Sequence, residues 1–203
     1  MATRGFGGRR PDASAAARLP PGQHETHDFP VLSKGPSPRI DLAAWRFTLS
    51  DGPRPIKRWS WAEFEALPRT RWHGDIHCVT TWSKFDTDWE GVTIDDLLAD
   101  AGLAAPPSAY ALALSYDDYD TNVPMTDLAG SRAMVATRYA GAPLATEHGG
   151  PARLLVPHLY FWKSAKWLSG LRFTRADEAG FWELRGYHMR GDPWREQRYT
   201  NDP

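Results

Sequence analysis

Asp75-Ile76-His77-Cys78-Val79-Thr80-Thr81-Trp82-Ser83 carries the only cysteine of the chain. The composition of Asp75 to Thr81 predicts a strand running into the cysteine, which delivers Cys78 to a turn flanked by hydroxyls and an aromatic. A thiolate is a soft, strongly donating ligand, suited to a metal that also carries sulfur ligands. His77, if close and charged, would lower the thiol pKa. The same residues also read as a strand with a buried apolar cysteine. A third use, a thiol hydrolase, needs a base beside Cys78. Neighbours in a strand point to opposite faces, so His77 is poorly placed for that.

One cysteine excludes an intrachain disulfide, a cysteine-based zinc cluster and an iron–sulfur cluster, and no CxxCH is present for covalent haem. The seven histidines (24, 27, 73, 77, 148, 158 and 188) signal a zinc or non-haem iron site only weakly. His73 and His77 are four apart, but Gly74 and the strand pattern argue against a helix there.

Outward from Cys78 the chain alternates short elements and long connections. Trp45 to Leu49 predicts a strand closed by Asp51-Gly52. Ser60 with Glu63 predicts a capping box and a helix through Leu67, stopped by Pro68. Thr93 predicts the cap of a helix over Ile94–Ala101. Further strands are expected at Ala111–Leu114, Ser131–Thr137, Ala152–Val156 and Gly170–Arg175. The expected fold class is α+β, with mixed sheets, short helices and long loops. The expected organisation is a disordered tail over 1–19, an extended Pro-rich arm over 20–40, one domain over 41–190 and a C-terminal tail over 191–203.

Two further stretches have anion-binding chemistry. In His148-Gly149-Gly150-Pro151-Ala152-Arg153 the glycines let backbone amides approach an anion, and Arg153 can clamp a phosphate; the alternative is a plain loop with a surface arginine. Tyr160-Phe161-Trp162-Lys163-Ser164-Ala165-Lys166-Trp167 sets small residues between two lysines amid aromatics that could wall a flat heterocycle; the alternative is a solvated lysine pair. Ser115 to Pro124 is polar and acidic, a surface loop by default, with hard-cation binding a weaker second reading.

The 203 residues, 41% of them hydrophobic, suffice for one large domain or one domain with arms. The net charge of -1 argues against a nucleic-acid binder or a polybasic membrane anchor. Arg9-Arg10 hints at an export signal, but no apolar stretch follows it, and no run reaches membrane-spanning length. A cytoplasmic location is expected.

Together, residues 59–68 (WSWAEFEALP), 75–92 (DIHCVTTWSKFDTDWEGV), 115–125 (SYDDYDTNVPM) and 148–175 (HGGPARLLVPHLYFWKSAKWLSGLRFTR) resemble the molybdopterin-binding domain of the sulfite oxidase family. The likeness is strongest to its small bacterial branch, with the methionine-sulfoxide-reducing periplasmic enzymes as cousins. The arm, residues 19–38 (LPPGQHETHDFPVLSKGPSP), also looks like this branch, and the resemblance covers about residues 20–190. It implies a molybdenum–molybdopterin cofactor (Mo-MPT), with Cys78 as the metal ligand. Arg153 and Lys166 fall on residues that bind the pterin phosphate, and Ser164 and Ala165 where backbone groups assist that lysine. His148 falls where cousins carry Asn against the pterin, and Ser115 near a hydroxyl position that is often Thr. His77 is counted with the cofactor-binding residues. Asp118 stands where relatives commonly have Gly. The implied activity is oxygen-atom transfer to or from a small oxyanion, S-oxide or N-oxide. Electrons would pass to or from a separate partner, since no haem domain is present. A molybdopterin-binding module without its own turnover is the alternative.

Overall fold

Residues 16–203 are described by the computed structural model. Two sheets form its frame. In the first, β1 (His24–Glu25) runs parallel to β5 (Trp82–Thr93). β5 also pairs antiparallel with β4 (Thr70–His77) and β8 (Met134–Tyr139), and β8 continues to β9 (Ala142–Pro143) and β10 (Arg153–Leu155). The second sheet has the order β3-β2-β11-β6-β7. These strands are β2 (Arg46–Asp51), β3 (Arg54–Ser60), β6 (Tyr110–Ser115), β7 (Asp120–Pro124) and β11 (Leu168–Thr174). Only β2 and β11 are parallel there. Short helices α1 (Trp61–Glu65), α2 (Ile94–Asp100) and α3 (Met125–Leu128) connect the strands. Mixed sheets with few short helices make the fold α+β, as expected.

The core follows from strand periodicity. Trp45, Phe47 and Leu49 point inward from β2 and its start, and Leu171 and Phe173 do the same from β11. Ile94, Leu97 and Leu98 of α2 close this cluster from the other side. A second, smaller cluster gathers Ile76, Cys78, Trp82, Trp89 and Phe161 beneath the arm. The capping box at Ser60 is present, the Glu63 amide lying 3.3 Å from the Ser60 hydroxyl. Thr93 caps α2 through the amide of Asp96.

Several expected elements shift. The Cys78 strand ends at His77, because the Cys78 carbonyl accepts from the Thr81 amide across 3.0 Å and closes a turn. Ser131 belongs to a turn whose amides bond Asp95, so the strand expected from Ser131 begins at Met134. The acidic stretch after Ser115 is a hairpin, β6 to β7, in which Thr121, Asn122 and Val123 are buried. Asp118 takes a φ of 59° at its tip, a conformation Asp tolerates better than most residues.

Residues 1–15 of the expected tail lie outside the described residues. Arg18 is held in place: its guanidinium pairs with Asp75 and Asp86. Among the described residues no helix is long and apolar enough to cross a membrane.

Candidate cofactor site

Cys78 is 7% exposed and opens into a cavity of about 300 Å³. The turn that presents it is fixed from several sides. The Cys78 amide donates to the Trp82 carbonyl across 2.9 Å, and Thr81 takes a φ of 78°. From the arm, Gln23 Nε2 donates to the Cys78 carbonyl across 3.1 Å. From the C-terminal segment, Arg198 Nη1 donates to the Val79 carbonyl across 2.5 Å. The Thr80 hydroxyl donates to Cys78 Sγ across 3.2 Å. Burial pushes the thiol pKa up, and hydrogen bonds from Thr80 oppose it.

Arg153 lies in the wall of the same cavity and is almost completely buried. It is no surface arginine. Its guanidinium donates to the His148 carbonyl (2.8 Å) and the Ser164 carbonyl (2.6 Å), with the Phe161 ring 4.0 Å from Cζ. No carboxylate pairs with it among the described residues, and burial pulls its pKa down to about 9. Lys166 is half-buried beside it, its Nζ donating to Ser33 Oγ (2.9 Å) and the Glu147 carbonyl (2.6 Å). Burial, then the charge of Arg153, lower its pKa to about 8. Arg153 and Lys166 thus share one pocket, which Lys34 and Asp117 also line, and neither has an ion-pair partner among the described residues, an arrangement that favours a bound phosphate.

Ser164 and Ala165 line the cavity between these cations, and the Ser164 hydroxyl accepts from the Val156 amide across 2.9 Å. The remaining walls are largely aromatic: Tyr119, Phe161, Trp162, Trp167, Trp182 and Tyr187. Arm residues Leu32 to Lys34 cover one side. A soft sulfur donor, flat aromatic walls and an unpaired cation pair match the metal, heterocycle and phosphate of a molybdopterin cofactor.

Three expected residues do not line this cavity. The His77 ring turns to the opposite face, accepting or donating at Ser83 Oγ across 2.8 Å and meeting Trp194 edge-on in a separate groove. Burial lowers its pKa to about 4, so it is neutral and neither activates the thiol nor serves it as a base. Ser115 is buried in β6, with its hydroxyl unpartnered among the described residues. His148 stacks on Phe29 of the arm, ring centroids 3.9 Å apart, and touches the site through its carbonyl to Arg153.

The glycines at 149 and 150 play another part than the one expected. Their amides bond the carbonyls of Thr146 and Ala145. A Cβ at Gly149 would lie 2.9 Å from Lys166 Cα, and one at Gly150 2.0 Å from the Leu144 carbonyl oxygen. They let the loop press against the lysine segment rather than free amides for an anion. Nor are the two lysines a pair. Lys163 is wholly buried, bonded to Glu183, Asn122 and the Met189 carbonyl. Thr80, Gln23, Arg198, Trp182 and Tyr187 went unnoticed as site residues. Only Thr80 gave a signal, as a hydroxyl two positions from the cysteine.

The site and fold define a molybdopterin-dependent oxidoreductase. Residues 34–182 match the family described as "Oxidoreductase molybdopterin binding domain", and the chain belongs to this family of sulfite-oxidase type, whose cofactor is molybdenum–molybdopterin. The chain is 41% identical over 199 residues to "Uncharacterized oxidoreductase YuiH" of Bacillus subtilis (strain 168), covering 96% of this chain and 98% of that protein. It is 28% identical over 152 residues to "Putative protein-methionine-sulfoxide reductase subunit YedZ1" of Azospira oryzae, covering 75% of this chain and 57% of that one. The sulfane dehydrogenase SoxCD of Paracoccus pantotrophus shares the fold, with a TM-score of 0.60 at 21% identity over 69% of this chain and 40% of that chain.

Proposed function

We propose that the protein reduces small S-oxides of the thioether type, taking electrons from a separate redox carrier. The observation that carries this is the cavity itself: one sulfur donor, the cations Arg153 and Lys166, and aromatic walls facing the same 300 Å³ space. The bound molybdenum–molybdopterin supplies two-electron oxygen-atom transfer. In the balanced reaction one S-oxide takes up two electrons and two protons, its sulfur–oxygen bond breaks, and one thioether and one water leave.

The chain's residues divide the work. Cys78 would hold the metal through its sulfur. Arg153 and Lys166 would grip the phosphate, with Ser164 and Ala165 shaping the wall between them. The aromatic rings exclude water and hold flat or apolar groups. Val79, Thr80, Phe161 and Tyr187 line the same cavity as Cys78 and give an S-oxide's organic groups apolar surface to rest on. The relative named as a protein-methionine-sulfoxide reductase subunit supports the same substrate class. The lone cysteine and absent CxxCH leave no cysteine set for a covalent haem or an iron–sulfur cluster in these 203 residues, which favours a partner as electron source.

The test is steady-state turnover of enzyme made in a cofactor-competent host. With a reduced artificial carrier as donor, methionine sulfoxide should be consumed. With ferricyanide as acceptor, sulfite should not. Sulfite oxidation without S-oxide reduction would overturn the substrate class.

A further inference from the structure

The Cys78–Thr81 turn holds the first of its two hydroxyl residues, Thr80, beside the cysteine. Thr80 is exposed, but the backbone that carries it is fixed at the two preceding carbonyls: Cys78 O to the Thr81 amide and Gln23, and Val79 O to Arg198. The left-handed Thr81, φ 78°, ends the turn and returns the chain to β5. Both Thr80 and Cys78 face the cavity, and the Thr80 hydroxyl is 3.2 Å from Cys78 Sγ. Its one side-chain hydrogen bond among the described residues goes to that sulfur. Two segments outside the family match of 34–182, the arm at Gln23 and the C-terminal segment at Arg198, thus converge on the turn that brings this hydroxyl, together with the backbone of Val79 and Thr80, to the sulfur.

A hydrogen bond to a metal-bound thiolate withdraws charge from the sulfur. The sulfur then donates less to the metal, and the electron-rich, reduced state becomes easier to reach. We propose that Thr80 is a positioning residue for the metal-ligating sulfur: its hydroxyl draws charge from Cys78 Sγ and raises the potential at which the bound molybdenum accepts electrons. This rests on the assignment of Cys78 as the metal ligand.

The experiment compares Thr80→Val, Thr80→Ser and Cys78→Ser with the unaltered holoenzyme. The readouts are molybdenum content, the Mo(V) electron paramagnetic resonance spectrum and the midpoint potential of the Mo(VI)/Mo(V) step. Valine keeps the branched shape without the donor; serine keeps the donor. The expected result is a lower midpoint in Thr80→Val. A tenfold change in the reduced-to-oxidised ratio corresponds to 59 mV for one electron. Thr80→Ser should lie close to the unaltered protein. Loss of molybdenum in the valine variant but not in the serine variant also supports a role for the hydroxyl. Loss in both variants, or a valine variant with unchanged midpoint and spectrum, overturns the proposal. If Cys78→Ser alters the Mo(V) spectrum while Thr80→Val does not, only the role of Thr80 falls. If neither substitution alters it, the ligand assignment falls as well.

Discussion

Lys163 Nζ and Glu183 Oε1 form an ion pair 2.6 Å long with both side chains completely buried. The pair joins the cavity loop to the C-terminal segment, and the same carboxylate oxygen accepts from Trp162 Nε1 (2.8 Å) and Thr121 Oγ1 (2.9 Å). Glu183 therefore sets the position of Trp162 and, as its chain neighbour, of Trp182, two of the cavity's walls.

Breaking a buried pair leaves one charge without compensation, at a cost of about 3–5 kcal/mol. Lys163→Met should lower the denaturant midpoint accordingly and reduce cofactor retention. Adding Glu183→Gln removes the stranded charge while keeping an acceptor for Trp162 and Thr121. The double variant should regain part of the lost stability. Equal midpoints for the single and double variants would show that the charge itself is not what the fold relies on.

Arg153 offers a second test. Each of its hydrogen bonds to a carbonyl is charge-assisted and worth roughly 1.5–3 kcal/mol. Its role toward a phosphate is separable from its role in folding. Arg153→Lys retains the charge but loses the planar fork that reaches the His148 and Ser164 carbonyls together. Molybdenum and pterin content should fall steeply in Arg153→Lys and Arg153→Ala, and stay unchanged in Arg54→Ala, an exposed residue of β3. Arg69 makes a poorer reference, because it bonds both Thr137 and Glu65. Cofactor content in Arg153→Ala equal to that of Arg54→Ala removes the phosphate assignment.

The lowered pKa of Lys166 gives two opposite pH trends. Between about 8 and the ordinary lysine value of 10.5 the unfolded chain binds more protons at this residue than the folded one. The cofactor-free protein should therefore gain stability from Lys166 as pH rises through that interval. Phosphate binding needs the ammonium, so affinity for pyrophosphate should fall over the same interval. Titration calorimetry at pH 7 and pH 9.5 checks the second trend, and thermal unfolding checks the first. Lys166→Gln should reduce both trends, the remainder coming from Arg153, whose pKa of about 9 falls in the same interval. Pyrophosphate binding that is unchanged from pH 7 to pH 9.5 would speak against a phosphate contact at Lys166.

How legible the molecule was depends on whether the signal is local. The Ser60 capping box and the Thr93 cap are written in three or four consecutive residues, and both helices start as read, α1 ending at Glu65 rather than Leu67 and α2 at Asp100 rather than Ala101. The inward face of β2 is equally local, as alternate large apolar residues. The β6–β7 hairpin was hidden, because Asp117 to Asp120 has the composition of a loop. Only the pairing of Leu112 with Asn122 across the turn buries the polar residues of β7. Arg153 and Lys166 could be singled out, but not their burial, which depends on Phe161 and on arm residues 29–34 folding back over them. His77 shows the same limit from the other side. Adjacency to Cys78 suggested proximity, while the end of β4 turns the two side chains into different cavities. The partners of the Cys78 turn, Gln23 and Arg198, lie 55 residues before and 119 residues after the carbonyls they bond. No pattern within the turn itself could announce them.

Cys78→Ser tests the centre of the proposal. Cofactor affinity should come mainly from the phosphate contacts at Arg153 and Lys166 and from burial against the aromatic walls, none of which uses the thiol. Serine is nearly isosteric, and a near-isosteric swap costs less than about 1.5 kcal/mol in packing. The Thr80 hydroxyl can still donate to the serine oxygen, and Gln23 still binds the residue's carbonyl, so the turn should persist. Oxygen is a harder and weaker donor than thiolate sulfur, so the electron density available to the metal changes while the pocket does not. The variant should fold normally, keep most of its pterin and lose at least a hundredfold in S-oxide turnover. Circular dichroism, pterin release on denaturation and carrier-linked turnover measure the three quantities separately. A serine variant with near-normal turnover would show that Cys78 is a buried core residue beside the cofactor rather than its protein ligand.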